Sequence, residues 1–189
     1  MVATVGKPKM LTLAEFLELP ETKPASEYSE GQVAQKPMPQ GKHSTIQGEW
    51  VTAINQVVKK QKIARAFPEL RCTFSGRSIV PNVAVMQWAN IPRDTNGEIA
   101  NQFLAAPDWT IEILSPGQSH TKVVKKILVC LKQGCQMGWL IDPTERTVFV
   151  YHPKQETDIF ELSDTVLLPA PEFANEFKLT IQVLFEWLM

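Results

Sequence analysis

The sequence predicts a mixed α/β (α+β) fold, in which helices flank a mixed β-sheet. Amphipathic helical segments and short β-branched or aromatic runs follow one another in the order helix, strands, helix, strands. The chain has 189 residues, of which 44% are hydrophobic and 21% charged, and this is enough for one domain with a substantial core. We expect residues 1–11 to form a flexible N-terminus and residues 12–189 to form a single domain.

The first half of the chain is predicted to contain two helices and several short strands. Thr12 with Glu15 three residues later forms a capping box, and Pro20 is a stop signal, so residues 12–19 are predicted to be a short helix. Apolar side chains at helical spacing predict a longer helix with Ser44 or Thr45 as its N-cap. The remaining predictions are a turn at Gly31 leading into a strand, strands over 63–75 and 79–88 joined by a turn, and a loop over 90–107.

The second half is predicted to place a helix between buried strands. Residues 109–114 read as a strand, the following "SPGQS" breaks it, and residues 120–134 read as a helix that ends at Gly134. Further strands are expected over 137–143, 147–153, 158–163 and 165–169, and an amphipathic helix is expected over 179–189.

Composition excludes several classes of protein. The net charge of −1 and the pI near 6.3 argue against a surface coated in positive charge, although a local basic groove stays compatible with them. No apolar run approaches the length of a membrane span, and the N-terminal lysines are not followed by the apolar segment of a secretory signal. Three cysteines are too few for a disulfide framework, which favours buried thiols in a reducing, cytoplasmic setting.

One charged residue interrupts the apolar strand at 109–114. Burying Glu112 without a partner would cost several kcal/mol, so it must be paired, protonated, metal-bound or at an open strand end. Lys125 and Lys126 follow on the next helix, about 100° apart around its axis, so one of them can point towards the sheet. Alternatively, both lysines point into solvent and have no role in the site. Metal-binding and phosphate-binding motifs are absent, and Ser115 lacks the GxSxG context of a hydrolase.

The stretch "WTIEILSPGQSHTKVVKKILVCLKQGCQMGWLIDP" resembles the signature of the Uma-type family of restriction-endonuclease-like proteins, within the PD-(D/E)XK nuclease superfamily. That signature has an acidic strand, a helix with a lysine eight residues before a glycine, and "WLIDP"; here the lysine is Lys126. Upstream, "SEYSEGQVAQKPMPQGKH" is similar to the N-terminal motif of the family, a glutamate followed by a glycine and then a histidine. Glu27, Gly31 and His43 occupy these three positions. The resemblance implies a restriction-endonuclease-like mixed β-sheet flanked by helices.

The sequence departs from this family at the Pro-Asp motif, where Pro81 is followed by Asn82. Another Pro-Asp pair ends at Asp108, but four residues of extended strand separate it from Glu112 by roughly 13 Å. Both side chains could not then reach one ion. We therefore interpret Asn82 as an altered metal ligand and Asp108 as a turn residue.

The resemblance implies a nuclease that depends on Mg²⁺ (or Mn²⁺), cleaves DNA, is a homodimer and is weakened by Asn82. The alternative is a non-catalytic nucleic-acid-binding or protein-interaction domain on the same fold, in which Glu112 and Lys126 form a buried ion pair. The implied site residues are Glu112, Asn82 and Glu27 as metal ligands, Lys126 as the catalytic lysine, and Arg71, Arg77 and His43 as nucleic-acid contacts.

Overall fold

The computed structural model describes residues 10–189, so residues 1–9 of the predicted N-terminal segment lie outside the described residues. Its helices separate three groups of strands, as the sequence order predicts. Short 3₁₀ turns lie at Trp88–Asn90 and Glu172–Ala174. The α-helices are α1 (Leu13–Leu17), α2 (Gly41–Val58), α3 (His120–Lys132) and α4 (Ile181–Glu186).

The strands form two sheets. They are β1 (Ser26–Ser29), β2 (Gln32–Gln35), β3 (Ala64–Pro68), β4 (Cys72–Phe74), β5 (Arg77–Ile79), β6 (Val83–Gln87), β7 (Trp109–Ile113), β8 (Met137–Asp142), β9 (Thr147–Tyr151) and β10 (Asp158–Glu161). The smaller sheet has four strands in the order β2-β1-β5-β4, and the larger has six in the order β10-β9-β8-β7-β6-β3. Strands β7 and β8 are parallel, with α3 as their crossover, whereas the other strand pairs are antiparallel. The predicted mixed fold is therefore confirmed.

Local signals define the helix starts with one exception. Thr12 and Glu15 form the predicted capping box of α1, and the Ser119 hydroxyl caps α3. Helix α2 begins at Gly41, and its N-cap Gln40 lies four residues before the predicted Ser44 cap and makes no side-chain capping bond. The prediction of a Ser44 or Thr45 cap is wrong, because Ser44 donates its own N–H to the Gln40 carbonyl inside the first turn.

Three strand predictions need correction. The predicted strand 63–75 divides into β3 and β4, and the predicted strand 79–88 contains β6 but only the last residue of β5, which lies mostly in the predicted turn. Breaks at 69–71 and 80–82 separate these strands, so that β3 and β6 join the large sheet while β4 and β5 join the small one. The first break contains Glu69, which has a positive φ of 45°, and the second contains Pro81, which has no N–H for a sheet ladder. Residues 165–169 form no named strand, since Leu167 makes only an isolated bridge to Thr180.

The large sheet has apolar layers on both faces. Alternation along β7 turns Ile111 and Ile113 into the main core, which also contains the buried faces of α2 and α4. On the opposite face Ile127 of α3 packs with Leu140 of β8. The main core is centred on the mutually packed rings of Trp50, Trp109, Trp139, Phe177 and Trp187.

Two composition-based expectations bear on the described residues. The three cysteines are free and buried, as predicted. Within residues 10–189, none of the helices combines the length and the apolar character that crossing a bilayer requires.

Candidate active site

Glu112, Lys126 and Glu27 meet near the carboxyl end of β7. The Lys126 ammonium lies 3.0 Å from Glu112 Oε1 and 2.9 Å from Glu27 Oε1. The three side chains come from a central strand, from the crossover helix and from the small sheet, so only the folded chain brings them together. Lys126 is turned inwards while the neighbouring Lys125 is exposed, as their angular separation on the helix requires.

Burial controls the electrostatics of this cluster. The Glu112 side chain is 1% exposed, and burial raises the pKa of its carboxyl although the Lys126 ammonium acts in the opposite direction. Burial also opposes the charge on Lys126, but the carboxylates of Glu112 and Glu27 outweigh it and raise the pKa of the lysine. Lys126 is therefore a permanent cation between two acidic side chains at neutral pH.

One oxygen of the cluster has an incomplete set of partners. Glu112 Oε1 is in ion-pair contact with Lys126, but the contact lacks the alignment of a hydrogen bond, and no donor within residues 10–189 supplies one. The Glu27 oxygen, in contrast, accepts hydrogen bonds from Lys126 and from the N–H of Val80. A buried carboxylate oxygen is stabilised by a cation, and the Lys126 ammonium at 3.0 Å is the cation that Glu112 Oε1 faces.

A second ion pair, which sequence reasoning missed, lies beside this cluster. The buried Lys36 ammonium contacts Glu69 Oε1 at 2.8 Å and donates to the Val80 carbonyl at 2.9 Å. Lys36 is close enough to Glu112 to lower the pKa of that carboxyl. No local signal marks the pair, because Lys36 lies in a proline-rich loop and its partner is 33 positions along the chain.

Asn82 lies at the same end of the sheet but is turned towards α2. Its amide oxygen accepts the N–H of Ile113 at 2.8 Å, and its amide nitrogen lies 2.9 Å from His43 Nε2. His43 Nδ1 in turn lies 3.0 Å from the Ser115 hydroxyl. Because both ends of the amide are engaged, an ion could use only the second lone pair of its oxygen. Coordination by Asn82 remains a prediction.

The two arginines predicted to contact nucleic acid lie on the small sheet, and each is paired with an acid. Arg71 makes two hydrogen bonds to Glu21, and Arg77 bonds to Glu30. Both acidic partners are exposed, so a phosphate could compete for the guanidinium groups. His43 is different, since it is 5% exposed and burial lowers its pKa to about 4.

Asp108 lies at the opposite end of β7 from Glu112. Its carboxylate accepts hydrogen bonds from the backbone and side chain of Gln87 and from the side chain of Asn90. These three bonds tie the start of β7 to the end of β6, which agrees with the interpretation of Asp108 as a turn residue outside the site.

A hard divalent ion fits the donors at Glu112 and Glu27 in type, though not as a complete set. Mg²⁺ is commonly held by one or two carboxylates and completes its shell with water and substrate oxygens. The carboxylates of Glu112 and Glu27, which share the Lys126 ammonium, provide such a pair. Among residues 10–189 there is no group of three or more His, Cys, Asp or Glu side chains arranged to hold a metal.

Comparison with known proteins identifies the family to which this arrangement belongs. Residues 13–182 match the model of the Uma2 family, which is described as "Putative restriction endonuclease". The chain is also similar to a crystal structure described as "a putative nuclease belonging to DUF820" from Anabaena variabilis, with 65% sequence identity and a TM-score of 0.93. That similarity covers 95% of this chain and 99% of the other. No curated protein sequence matches.

These matches confirm the resemblance seen in the sequence and the predicted fold. The family model extends from α1 into α4 and therefore includes every element that contributes to the Glu112 cluster. The chain belongs to the Uma2 family of restriction-endonuclease-like proteins.

Proposed function

We propose that this chain is a divalent-metal-dependent nuclease that hydrolyses phosphodiester bonds of DNA at the Glu112–Lys126–Glu27 cluster. The observation that carries the proposal is the single Lys126 ammonium in contact with two carboxylates at the end of β7. Membership of the family and similarity to a protein described as a nuclease support the class of reaction. An acidic pair beside a fixed cation suits a reaction at a phosphate, where negative charge develops.

Glu112 and Glu27 are the residues that would hold Mg²⁺ or Mn²⁺. When bound, such an ion polarises a phosphodiester and lowers the pKa of a bound water. Glu112 provides a buried oxygen that has no hydrogen-bond donor, and Glu27 provides an oxygen already oriented by the Val80 N–H. Lys126 holds its charge between them and would stabilise negative charge that develops on a phosphate.

Asn82 makes the proposed site weaker than one with aspartate at that position. It contributes no negative charge, and its amide is already bonded to Ile113 and His43. With the second ion pair included, three carboxylates face two ammonium groups, which leaves one net negative charge to attract a dication. We therefore expect weak ion binding and slow cleavage.

Nicking of supercoiled plasmid with Mg²⁺ or Mn²⁺ tests the proposal. Wild type should nick slowly, while Glu112→Ala and Lys126→Met should lose nicking. The matched controls are Glu145→Ala and Lys125→Met, which change exposed residues of the same types and should nick like wild type. Asn82→Asp should nick faster because it adds a carboxylate. If wild type and Asn82→Asp both fail to nick at any metal concentration, the catalytic proposal is wrong.

A non-catalytic nucleic-acid-binding domain is the second candidate, and one observation favours it. Lys126 already offsets one of the two negative charges of the acidic pair, so an ion pair can account for the burial of Glu112 without a metal. This candidate predicts DNA binding without nicking and no change of melting temperature with Mn²⁺, whereas a metal site predicts a rise.

The homodimer and the cytoplasmic location rest on the resemblance and on composition, and both remain proposals. Sedimentation of the full chain with and without a DNA duplex would test the first. A dimer of the free chain would support the idea that two such sites face two strands, and a monomer in both conditions would contradict it.

A further inference from the structure

A hydrogen-bonded chain of buried side chains links β7 to the loop that follows it. It runs from the N–H of Ile113 to Asn82, from Asn82 to His43, and from His43 to the hydroxyl of Ser115, with distances of 2.8, 2.9 and 3.0 Å. The Asn82, His43 and Ser115 residues are 2%, 5% and 6% exposed, so they have little water with which to exchange partners. The proposed nuclease reaction uses none of these contacts.

The backbone N–H of Ile113 fixes the donor and the acceptor in each of these three hydrogen bonds. A backbone N–H can only donate, so the Asn82 atom that faces Ile113 must be its carbonyl oxygen. The amide nitrogen then faces His43, and because that nitrogen can only donate, His43 Nε2 must be an unprotonated acceptor. A neutral imidazole with a bare Nε2 carries its proton on Nδ1, which donates to the Ser115 oxygen.

We propose that Asn82 is a positioning residue that selects the Nδ1–H tautomer of His43, and that this tautomer holds Ser115 and the loop after β7 in place. We call these three hydrogen bonds the Asn82–His43–Ser115 relay. Ser115 lies three residues beyond Glu112, so the relay determines where the strand that carries Glu112 ends. This proposal goes beyond the nuclease reaction and holds whether or not the chain cleaves DNA.

The hydrogen bond between His43 and Ser115 runs in the opposite direction to that of a catalytic serine and its histidine base. A general base must present a lone pair to the serine O–H, but here the ring presents an N–H and the serine oxygen is the acceptor. A carboxylate at position 82 would reverse the relay, since it would accept a proton from Nε2 and leave Nδ1 as the acceptor for the serine. Whether residue 82 is Asn or Asp therefore sets the hydrogen-bond direction at this strand end, in addition to its charge.

Long-range ¹H–¹⁵N correlation spectra of the imidazole rings, recorded on the full chain at one neutral pH, test the proposal. His43 is assigned from its missing signals in His43→Gln. Wild type should show a protonated Nδ1 and a bare Nε2. Asn82→Asp should show a proton on Nε2, and Asn101→Asp, a change at an exposed asparagine, should match wild type. A wild-type proton on Nε2, or an unchanged ring in folded Asn82→Asp, would overturn the proposal.

Ser115→Ala provides the second variant and does not depend on the folding of Asn82→Asp. If Asn82 selects the tautomer, the proton should stay on Nδ1 after the serine hydroxyl is removed. Amide hydrogen exchange at residues 115, 117 and 118 should accelerate by about tenfold, since the loop has lost its anchor to α2. Thr144→Ala, at an exposed loop position, is the control for this exchange. A proton that moves to Nε2 in Ser115→Ala, or an unchanged exchange rate, would contradict the proposed role.

Discussion

The ammonium of Lys126, on the crossover helix α3, lies 3.0 Å from the carboxylate of Glu112 on the central strand β7. Because β7 and β8 run parallel, the chain must cross over between them, and α3 is that crossover. The contact therefore follows from the topology of the sheet. It also accounts for a charged residue that would otherwise be too costly inside an apolar strand.

Replacing Lys126 should expose the cost of the buried carboxylate. Lys126→Met leaves Glu112 without its cation, and we expect a loss of about 3–5 kcal/mol in the free energy of unfolding at pH 8. The loss should shrink at pH 5, because burial raises the pKa of Glu112 and protonation removes the uncompensated charge. Urea denaturation measures both values, and Lys125→Met should stay within about 0.5 kcal/mol of wild type.

The same variant probes the proposed ion site without measuring cleavage. With the ammonium removed, Mn²⁺ should raise the melting temperature of Lys126→Met more than that of wild type, since the ion would neutralise both acidic side chains. No shift in either protein would show that Glu112 and Glu27 do not share a metal, whereas equal rises would show that the Lys126 ammonium does not compete with the ion.

Gly138 on β8 should be intolerant of a side chain because α3 packs directly on it. A Cβ at this position would clash with Cγ2 of Ile127, the residue next to Lys126. Gly138→Ala should cost about 1–3 kcal/mol of stability through overpacking. Gly48→Ala is the matched control, since its Cβ would meet nothing and alanine favours the helix by about 1 kcal/mol. Chemical denaturation of the two variants should give opposite signs.

Stability should depend on pH through His43. Burial lowers its pKa to about 4 from the ordinary 6.5, so between these values the unfolded chain binds more protons than the folded one. The stabilising contribution is fully present above pH 6.5 and is lost as the pH falls towards 4, by an amount on the order of 2 kcal/mol. In His43→Gln this part of the pH profile should flatten; an unchanged slope would assign it to other groups.

Arg77 tests the predicted nucleic-acid surface on the small sheet. If the guanidinium leaves the exposed Glu30 for a phosphate, Arg77→Met should weaken DNA binding and reduce the slope of log K against log salt by about one. Fluorescence anisotropy at several salt concentrations measures the slope. Arg146→Met, at an exposed turn near β9, is the control, and identical slopes would remove Arg77 from the interface.

Local patterns predicted much of the fold, as two elements illustrate. The capping box at Thr12 and the apolar spacing of α3 depend on neighbours within one or two helical turns, so the sequence shows them directly. The division of residues 63–88 between two sheets was missed, because hydrophobic periodicity indicates that a segment is a strand but not which strand it pairs with. Apolar residues likewise predict a strand over 165–169, where Leu167 makes only an isolated bridge to Thr180.

By itself, the sequence determined that Glu112 could not be buried as an unpaired carboxylate and that one of two lysines on the next helix could point towards the sheet, since both statements depend only on side-chain period and on the cost of burying a charge. Only the tertiary structure decided that Glu27 completes the cluster and that Asn82 bonds to His43. Those contacts join residues 99 and 39 positions apart, and such separations are set by how the sheets pack.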